Sequence, residues 1–304
     1  MFSRWLLAIN ALTTTSSISS VILGAILSLY LRGVLSLELL VVTVLGIFIM
    51  HAGINLIHDY QDYISGADLA YRSRYSGHRV NPIIDLNIRP TTVKYVGYIH
   101  LLIALSIGIY LALTRTLWIL LVLGLGALFG VGYSVRPLRF RYRGFGEVLA
   151  AISTGPLTCL GSYLVQTCTL HEAPLIIGVS IGIFTFIALV NTGLAHRETD
   201  LMIKKYTLSN LLSIEKLKIV MLIAVMVGII SLILSVMLNY VPTLSLVALT
   251  TYIPLLRSVM KLTVGLDKYL TIFRKMWYNL FILRVIFTVI VTLSILIESS
   301  LASW

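Results

Sequence analysis

Nine stretches of about 20 apolar residues, each long enough to cross a bilayer as a helix, occupy most of this 304-residue chain. They fall at 5–31, 36–58, 92–113, 115–133, 146–167, 174–195, 217–238, 242–260 and 279–301. Within hydrocarbon every backbone N–H and C=O must be satisfied internally, so such stretches are helices. The sequence therefore predicts an all-α integral membrane protein, a single domain over 1–304 with nine transmembrane helices and cytoplasmic cap loops. Charged residues make up only 12% of the chain, about half the share that clothes a soluble surface. That excludes a soluble enzyme, a disordered chain and a disulfide-stapled secreted domain. Cys159 and Cys168 have neither zinc spacing nor a disulfide framework. The first stretch opens five residues in, contains Asn10 and a Thr/Ser run, and lacks a small-residue cleavage pattern. It is expected to be a retained span rather than a signal peptide.

Lys and Arg total 23 against 12 Asp and Glu, a net charge of +11. In a soluble protein this would suggest nucleic acid; here it reports topology. All the basic residues except Arg32, Arg115 and Arg284 lie at Arg4 or within 66–94, 134–145, 196–218 and 257–275, which are alternate connections. Positive charge gathers on the cytoplasmic side, so the expected N-terminus is cytoplasmic and the C-terminus outside, in a multi-pass cell-membrane protein. The charge pattern thus requires an odd number of spans independently of hydropathy.

Three stretches carry chemistry. The first, Asn55-Leu-Ile-His58-Asp59-Tyr-Gln-Asp62, ends span two. On a continuing helix Asn55, Asp59 and Asp62 stand at i, i+4 and i+7, on one face. Their oxygens suit Mg²⁺, which keeps several waters and bridges carboxylates to substrate phosphates. The alternative is a polar helix end exposed to water, but Asn55 lies one turn deeper in apolar sequence. The second stretch, from Asn191 to Asp200, ends span six and sets His196 and Asp200 at i and i+4, with Thr192 one turn earlier. Both stretches precede basic residues on the same membrane side, as a receptor for a phosphate-bearing lipid would require. The third, Tyr133 to Glu147, contains Arg136, Arg139, Arg141 and Arg143. It reads either as a basic loop on anionic headgroups or as part of the site, with Glu147 opening an apolar span.

The residues "NLIHDYQDYISGAD", then "RSRYSGHRV", resemble the first aspartate-rich motif and loop of the UbiA superfamily of membrane prenyltransferases. "YSVRPLRFRYRGFGEVLAAISTGPLTCLGSYLVQT" is similar to the signature of that superfamily's menaquinone-type branch, the 1,4-dihydroxy-2-naphthoate prenyltransferases. "HRETDLMIKKYTL" resembles the second motif. The match runs from residue 1 to about 215. His58 replaces the family's second asparagine and His196 the first aspartate of motif two, so each motif has gained a histidine and motif two has lost a carboxylate.

The resemblance implies transfer of a polyprenyl group from an allylic diphosphate to an aromatic acceptor, a dihydroxynaphthoate, with two Mg²⁺ ions as cofactor. Asp59, Asp62, Asp200 and His196 are then the metal ligands, and Asn55, Arg72, Lys204 and Lys205 bind diphosphate. Tyr133 faces the allylic cation, since an aromatic face attracts positive charge, and Glu147 is an orienting group or base for the acceptor. Asp68 and Arg79 order the cap. The partners implied are polyprenyl diphosphate, the acceptor and membrane lipid, and no nucleic acid. Three rivals remain: a non-catalytic paralogue that binds lipid diphosphate, an ether-lipid prenyltransferase, and a transporter. The transporter fits least, because the acidic residues cluster at one surface rather than at mid-membrane.

Overall fold

The structure, a computed structural model, describes residues 2–72, 80–263 and 266–301, apart from the side chains of 2, 3, 263 and 266–278. The helices at the nine expected spans are α1 (Ala11–Arg32), α2 (Leu37–Ile64), α3 (Pro90–Thr114), α4 (Trp118–Gly132), α5 (Gly146–Thr167), α6 (Ala173–Ala195), α7 (Ile214–Met237), α8 (Thr243–Met260) and α9 (Leu266–Leu301). Eight of them are long and apolar enough to cross a membrane, and α4 is a shorter apolar helix of 15 residues. No strand occurs among the described residues.

Three spans differ from the simple runs read in the sequence. The first is broken: a short helix, Phe2–Ala8, is followed by a turn with Asn10 in the left-handed region, and α1 starts only at Ala11. The eighth begins as a 3-10 helix over Thr243–Thr251 and becomes α-helical from Tyr252. The ninth starts at Leu266, one long helix whose apolar part is Asn279–Leu301.

The layering follows from side-chain size. In α6, 72% of the span is buried against other helices, and in α1 67%, whereas α3 buries only 22% and turns Tyr95, Leu102 and Leu113 outward. Without a hydrophobic force between helices in lipid, contact depends on small residues that let backbones meet. A Cβ at Gly24 of α1 would stand 2.2 Å from the carbonyl oxygen of Cys159, and one at Gly178 of α6 would stand 2.6 Å from Cα of Pro156. The Ser/Thr run of α1 tolerates this interior because its hydroxyls bond back to their own helix: Thr14 to the Ala11 carbonyl and Ser16 to that of Thr13.

Helix α5 is not uniform. Between Gly146–Ile152 and Thr158–Thr167 the segment Ser153–Leu157, which contains Pro156, is a π-helical turn. Proline lacks an N–H to close the ordinary ladder, and a π-turn absorbs the defect. Gly155 in this turn faces Gly178 and Gly182 of α6. At the other end of the molecule, loops between spans form a cap. Residues 140–144 lie beside 206, where Arg143 and Tyr206 form a parallel bridge and Gly144 N–H bonds the Tyr206 carbonyl at 2.7 Å.

Candidate functional site

The C-terminal third of α2 supplies the first wall. Asn55, Asp59 and Asp62 all lie on its buried face, as their spacing predicts. Asn55 turns toward the broken start of the first span: its Nδ2 donates to the Ile9 carbonyl at 2.9 Å and to Thr13 Oγ1 at 3.0 Å. Asp62 Oδ2 accepts from Arg141 Nη1 at 2.7 Å. The same guanidinium nitrogen donates to His58 Nε2 at 2.6 Å, and His58 Nδ1 lies 2.9 Å from Ser134 Oγ. Histidine at position 58 thus braces the Asp62–Arg141 pair. Burial weakens the Arg141 charge, but Asp62 outweighs it and holds the guanidinium pKa well above the ordinary arginine value.

The second wall is the turn after α6. Asp200 is fully buried, and Lys205 nearly so. Lys205 Nζ donates to Asp200 Oδ1 at 2.9 Å and to Tyr71 Oη at 2.8 Å, while the Tyr71 hydroxyl donates to the same Asp200 oxygen. Burial first, then Asp200 and Asp62, push the Tyr71 pKa far above the tyrosine range despite Arg141, so Tyr71 stays a donor. The His196 ring packs on Tyr71, centroids 4.1 Å apart. Tyr71 belongs to the short helix Ala67–Arg72 that follows α2. It therefore joins the two acidic stretches directly.

Glu147 and Tyr133 close the third side. Glu147 Oε1 accepts from the backbone N–H of Leu208 at 3.1 Å. The Tyr133 ring lies 6.0 Å from that of His58 and 5.9 Å from the Arg141 guanidinium. The charges of Arg141, Asp62 and Asp200 all act on Tyr71, Tyr133 and Lys205, so these groups lie in one electrostatic neighbourhood.

Other residues singled out in the sequence lie elsewhere. Arg72 clasps Asp85 with both guanidinium arms, its Nη1 at 2.6 Å from Oδ1, and Asn81 bonds Asp68. This is the cap, not the chamber. Lys204 has a positive φ of 53° and an exposed side chain, so the chain turns there and sends Lys205 inward. Arg79 lies outside the described residues. Of the arginines in the basic loop, Arg143 is exposed and donates to the Pro137 carbonyl at 2.8 Å, and Arg139 stacks on Tyr142 at 3.7 Å. Sequence reasoning missed Tyr71 altogether, and it left Arg141 undecided between headgroups and the site.

Three carboxylate oxygens are buried without a hydrogen-bond partner among the described residues: Asp62 Oδ1, Asp200 Oδ2 and Glu147 Oε2. A buried acceptor left unpaired is costly. The first two fit Mg²⁺: each carboxylate is fixed by a cation on one oxygen and offers the other. No three His, Cys, Asp or Glu side chains among the described residues form a cage of their own. Mg²⁺ needs no such cage, since it takes one or two carboxylates and fills its octahedron with water and phosphate.

A pH test follows from Lys205. Burial, helped by Arg141, lowers its pKa below the ordinary 10.5 against the pull of Asp200 and Asp62. Unfolding then takes up a proton between the depressed value and 10.5, so stability rises with pH across that window. The thermal inactivation temperature is expected to climb as the pH rises from the depressed value toward 10.5, and to climb less in Lys205→Arg, whose charge does not titrate there. Equal slopes in the two proteins would refute this.

The chain is thus a polytopic helical bundle whose two acidic stretches meet at one end. The UbiA prenyltransferase family matches residues 17–281, and the chain belongs to it. Among similar proteins, the 1,4-dihydroxy-2-naphthoate octaprenyltransferase of Mycobacterium leprae is 26% identical over 68% of this chain and 69% of its own length. The enzyme of that name from Bacillus subtilis is also 26% identical, over 56% of this chain and 53% of its own length. Thus the chain spans about two thirds of one of these relatives and about half of the other. Among solved structures, one described as digeranylgeranylglyceryl phosphate synthase has a TM-score of 0.65 at 14% identity, covering 94% of this chain and 98% of that one. A UbiA homolog from Archaeoglobus fulgidus bound to GPP and Mg²⁺ has a TM-score of 0.62 at 12% identity, covering 94% and 99%. At these identities the structural likeness establishes the fold.

Proposed function

We propose that this protein transfers a polyprenyl group from an allylic diphosphate to a dihydroxynaphthoate-like aromatic carbon, at a site opening to the cytoplasm. One observation carries the reading. Two fully buried carboxylates, Asp62 and Asp200, come from separate acidic stretches, each paired to a cation on one oxygen and unpartnered on the other. The Archaeoglobus fulgidus homolog bound to GPP and Mg²⁺ and the naphthoate enzymes among the relatives support it.

When bound, Mg²⁺ would neutralise the diphosphate and ease its departure. Asp62 Oδ1 and Asp200 Oδ2 would hold two ions, with Asp59 on the same face and His196 covering Tyr71. Arg141 and Lys205 add fixed positive charge where leaving-group charge develops. The C1–oxygen bond of the prenyl chain breaks, its electron pair leaving with diphosphate. An electron pair of the aromatic ring then forms the new carbon–carbon bond, and the ring regains aromaticity by losing its carboxylate as CO₂. Tyr133 presents its ring to the allylic cation. Glu147 Oε2 accepts a hydroxyl proton of the acceptor and orients the ring. Water is kept out by the bundle.

Part of the prenyl tail would enter an apolar cavity of about 110 Å³ among α1 to α5, lined by Met50, Ile107, Leu123, Leu157 and Val165, with the rest in lipid. Met50 lies about 18 Å along α2 from Asp62, at 1.5 Å per residue.

The test is prenyl transfer by the protein in lipid nanodiscs, with geranylgeranyl diphosphate, 1,4-dihydroxy-2-naphthoate and Mg²⁺. Prenylated product is expected, and at least a 100-fold loss on chelation, roughly the scale of a lost charge stabiliser. Retained binding of the lipid diphosphate with no product would replace this reading by that of a non-reacting paralogue.

A further inference from the structure

Below the carboxylates lies a second polar layer, and Arg284 is its centre. This arginine is 2% exposed, on the apolar part of α9, among helices. Its Nη1 donates to Thr185 Oγ1 of α6 at 3.0 Å. The Thr185 hydroxyl lies 3.0 Å from that of Thr154, in the π-turn of α5, and the Thr154 carbonyl accepts from Ser20 of α1 at 2.5 Å. Among the described residues Arg284 Nε and Nη2 have no hydrogen-bond partner, and its guanidinium lies 5.2 Å from the Phe281 ring centroid, an aromatic face but no counter-charge. Thr154 is two helical turns beyond Glu147, and Ser20 two turns beyond Thr13, which bonds Asn55. The layer is thus about 10 Å deeper than the carboxylates at 1.5 Å per residue.

A buried arginine with no counter-charge is costly, and a well-packed apolar side chain would serve the bundle better. Intramembrane ionisable groups normally face a partner or a pathway. The two unpaired nitrogens are informative, because Nε–H and the outer N–H of Nη2 form one edge of the guanidinium, the fork that matches both oxygens of a carboxylate. Thr185 occupies the opposite nitrogen and fixes the plane. The depth suits a two-ring acid whose reacting carbon lies near the diphosphate and whose carboxylate points inward.

Resting on the reaction proposed above, we propose that Arg284 is the specificity-determining residue for the acceptor, its Nε/Nη2 edge binding the ring carboxylate. The acceptor class is then an aromatic acid, and a neutral diol of the same shape binds less well.

Equilibrium binding to the full-length protein in nanodiscs tests this without catalysis, using 1-hydroxy-2-naphthoate against 1-naphthol. The parent is expected to prefer the acid by at least about tenfold, the scale of one charge-assisted hydrogen bond. Arg284→Met is expected to abolish the preference, with a melting temperature equal to or above the parent's, which a purely structural arginine would not allow. Arg284→Lys keeps only part of the preference, because an ammonium offers no fork. Should Arg284→Met fail to fold, Thr185→Val, which unlocks the guanidinium, is expected to reduce the preference. Equal binding of acid and naphthol by the parent, or a preference unchanged in the folded variants, overturns the assignment. If prenyl transfer fails while the Arg284-dependent preference stands, the reaction falls and the carboxylate site survives; the converse result removes only the site.

Discussion

Asp62→Asn and Asp200→Asn are each expected to lower the single-turnover rate of prenyl transfer by about 1,000-fold or more, the upper range for losing one group that stabilises developing charge. Asparagine keeps the volume and can still accept from Arg141 or Lys205, so the fold survives. What it loses is the negative charge beside the unpartnered oxygen. Alanine would be a poorer test, because Asp62→Ala leaves Arg141 buried and unpaired, a defect of about 3–5 kcal/mol. The double variant is expected to be little slower than either single one, since groups acting as a unit are strongly non-additive. A folded Asp62→Asn protein that retains a tenth or more of parental activity at saturating Mg²⁺ would sink the assignment of that carboxylate to metal and diphosphate.

The second large effect concerns folding. Gly24→Val and Gly178→Val are expected to abolish the yield of folded protein, at a cost of at least about 3 kcal/mol, the upper range for overpacking a tight core. At Gly24 the obstacle to a Cβ is the Cys159 carbonyl, and at Gly178 it is the backbone of Gly155 and Pro156. Backbone cannot swing aside as a side chain can, so α1 and α6 would have to separate from α5. Gly124 of α4 is the control: nothing stands within 4 Å of its would-be Cβ. Gly124→Ala is expected to be neutral or to gain up to about 1 kcal/mol from helix propensity. Size-exclusion profiles and thermal melts of the three variants decide the matter, and a normal melt for Gly178→Val would show that the α5–α6 contact is not tight.

Sequence and structure agree where the physics is local. A run of apolar residues long enough to span lipid declares its helix without knowledge of its neighbours, so the helices were legible, although α4 is shorter than its run and eight are long enough to cross. The break at Asn10 was not, since a continuous apolar pattern hides a left-handed turn. At the site, Asp62, Asp200 and Glu147 stood out because carboxylates in apolar sequence are rare. The direction taken by the cations was hidden. Arg141 is one of four arginines in its loop, and only the left-handed Arg139 and the pairing of the loop with Tyr206 turn it inward. Arg72 reads as a phosphate ligand in the sequence, and the structure adds its partner Asp85, thirteen residues away, which the sequence does not announce. Tyr71 carried no signal at all, being one of 16 tyrosines whose role depends on two stretches meeting in space.

The π-turn in α5 bears on how this lineage can change. Such a turn amounts to one residue more than the α-helical count, accommodated without disturbing the helix beyond it. Loss of the Pro156 codon alone would restore the regular ladder and rotate everything before it by about 100°, one residue's worth of helix. Ser162 and Gln166, which bond Val21 and Ser36, would keep their places. Glu147 would be carried off its contact with Leu208. One small deletion thus offers heredity a route to a bundle that still assembles but addresses a different acceptor.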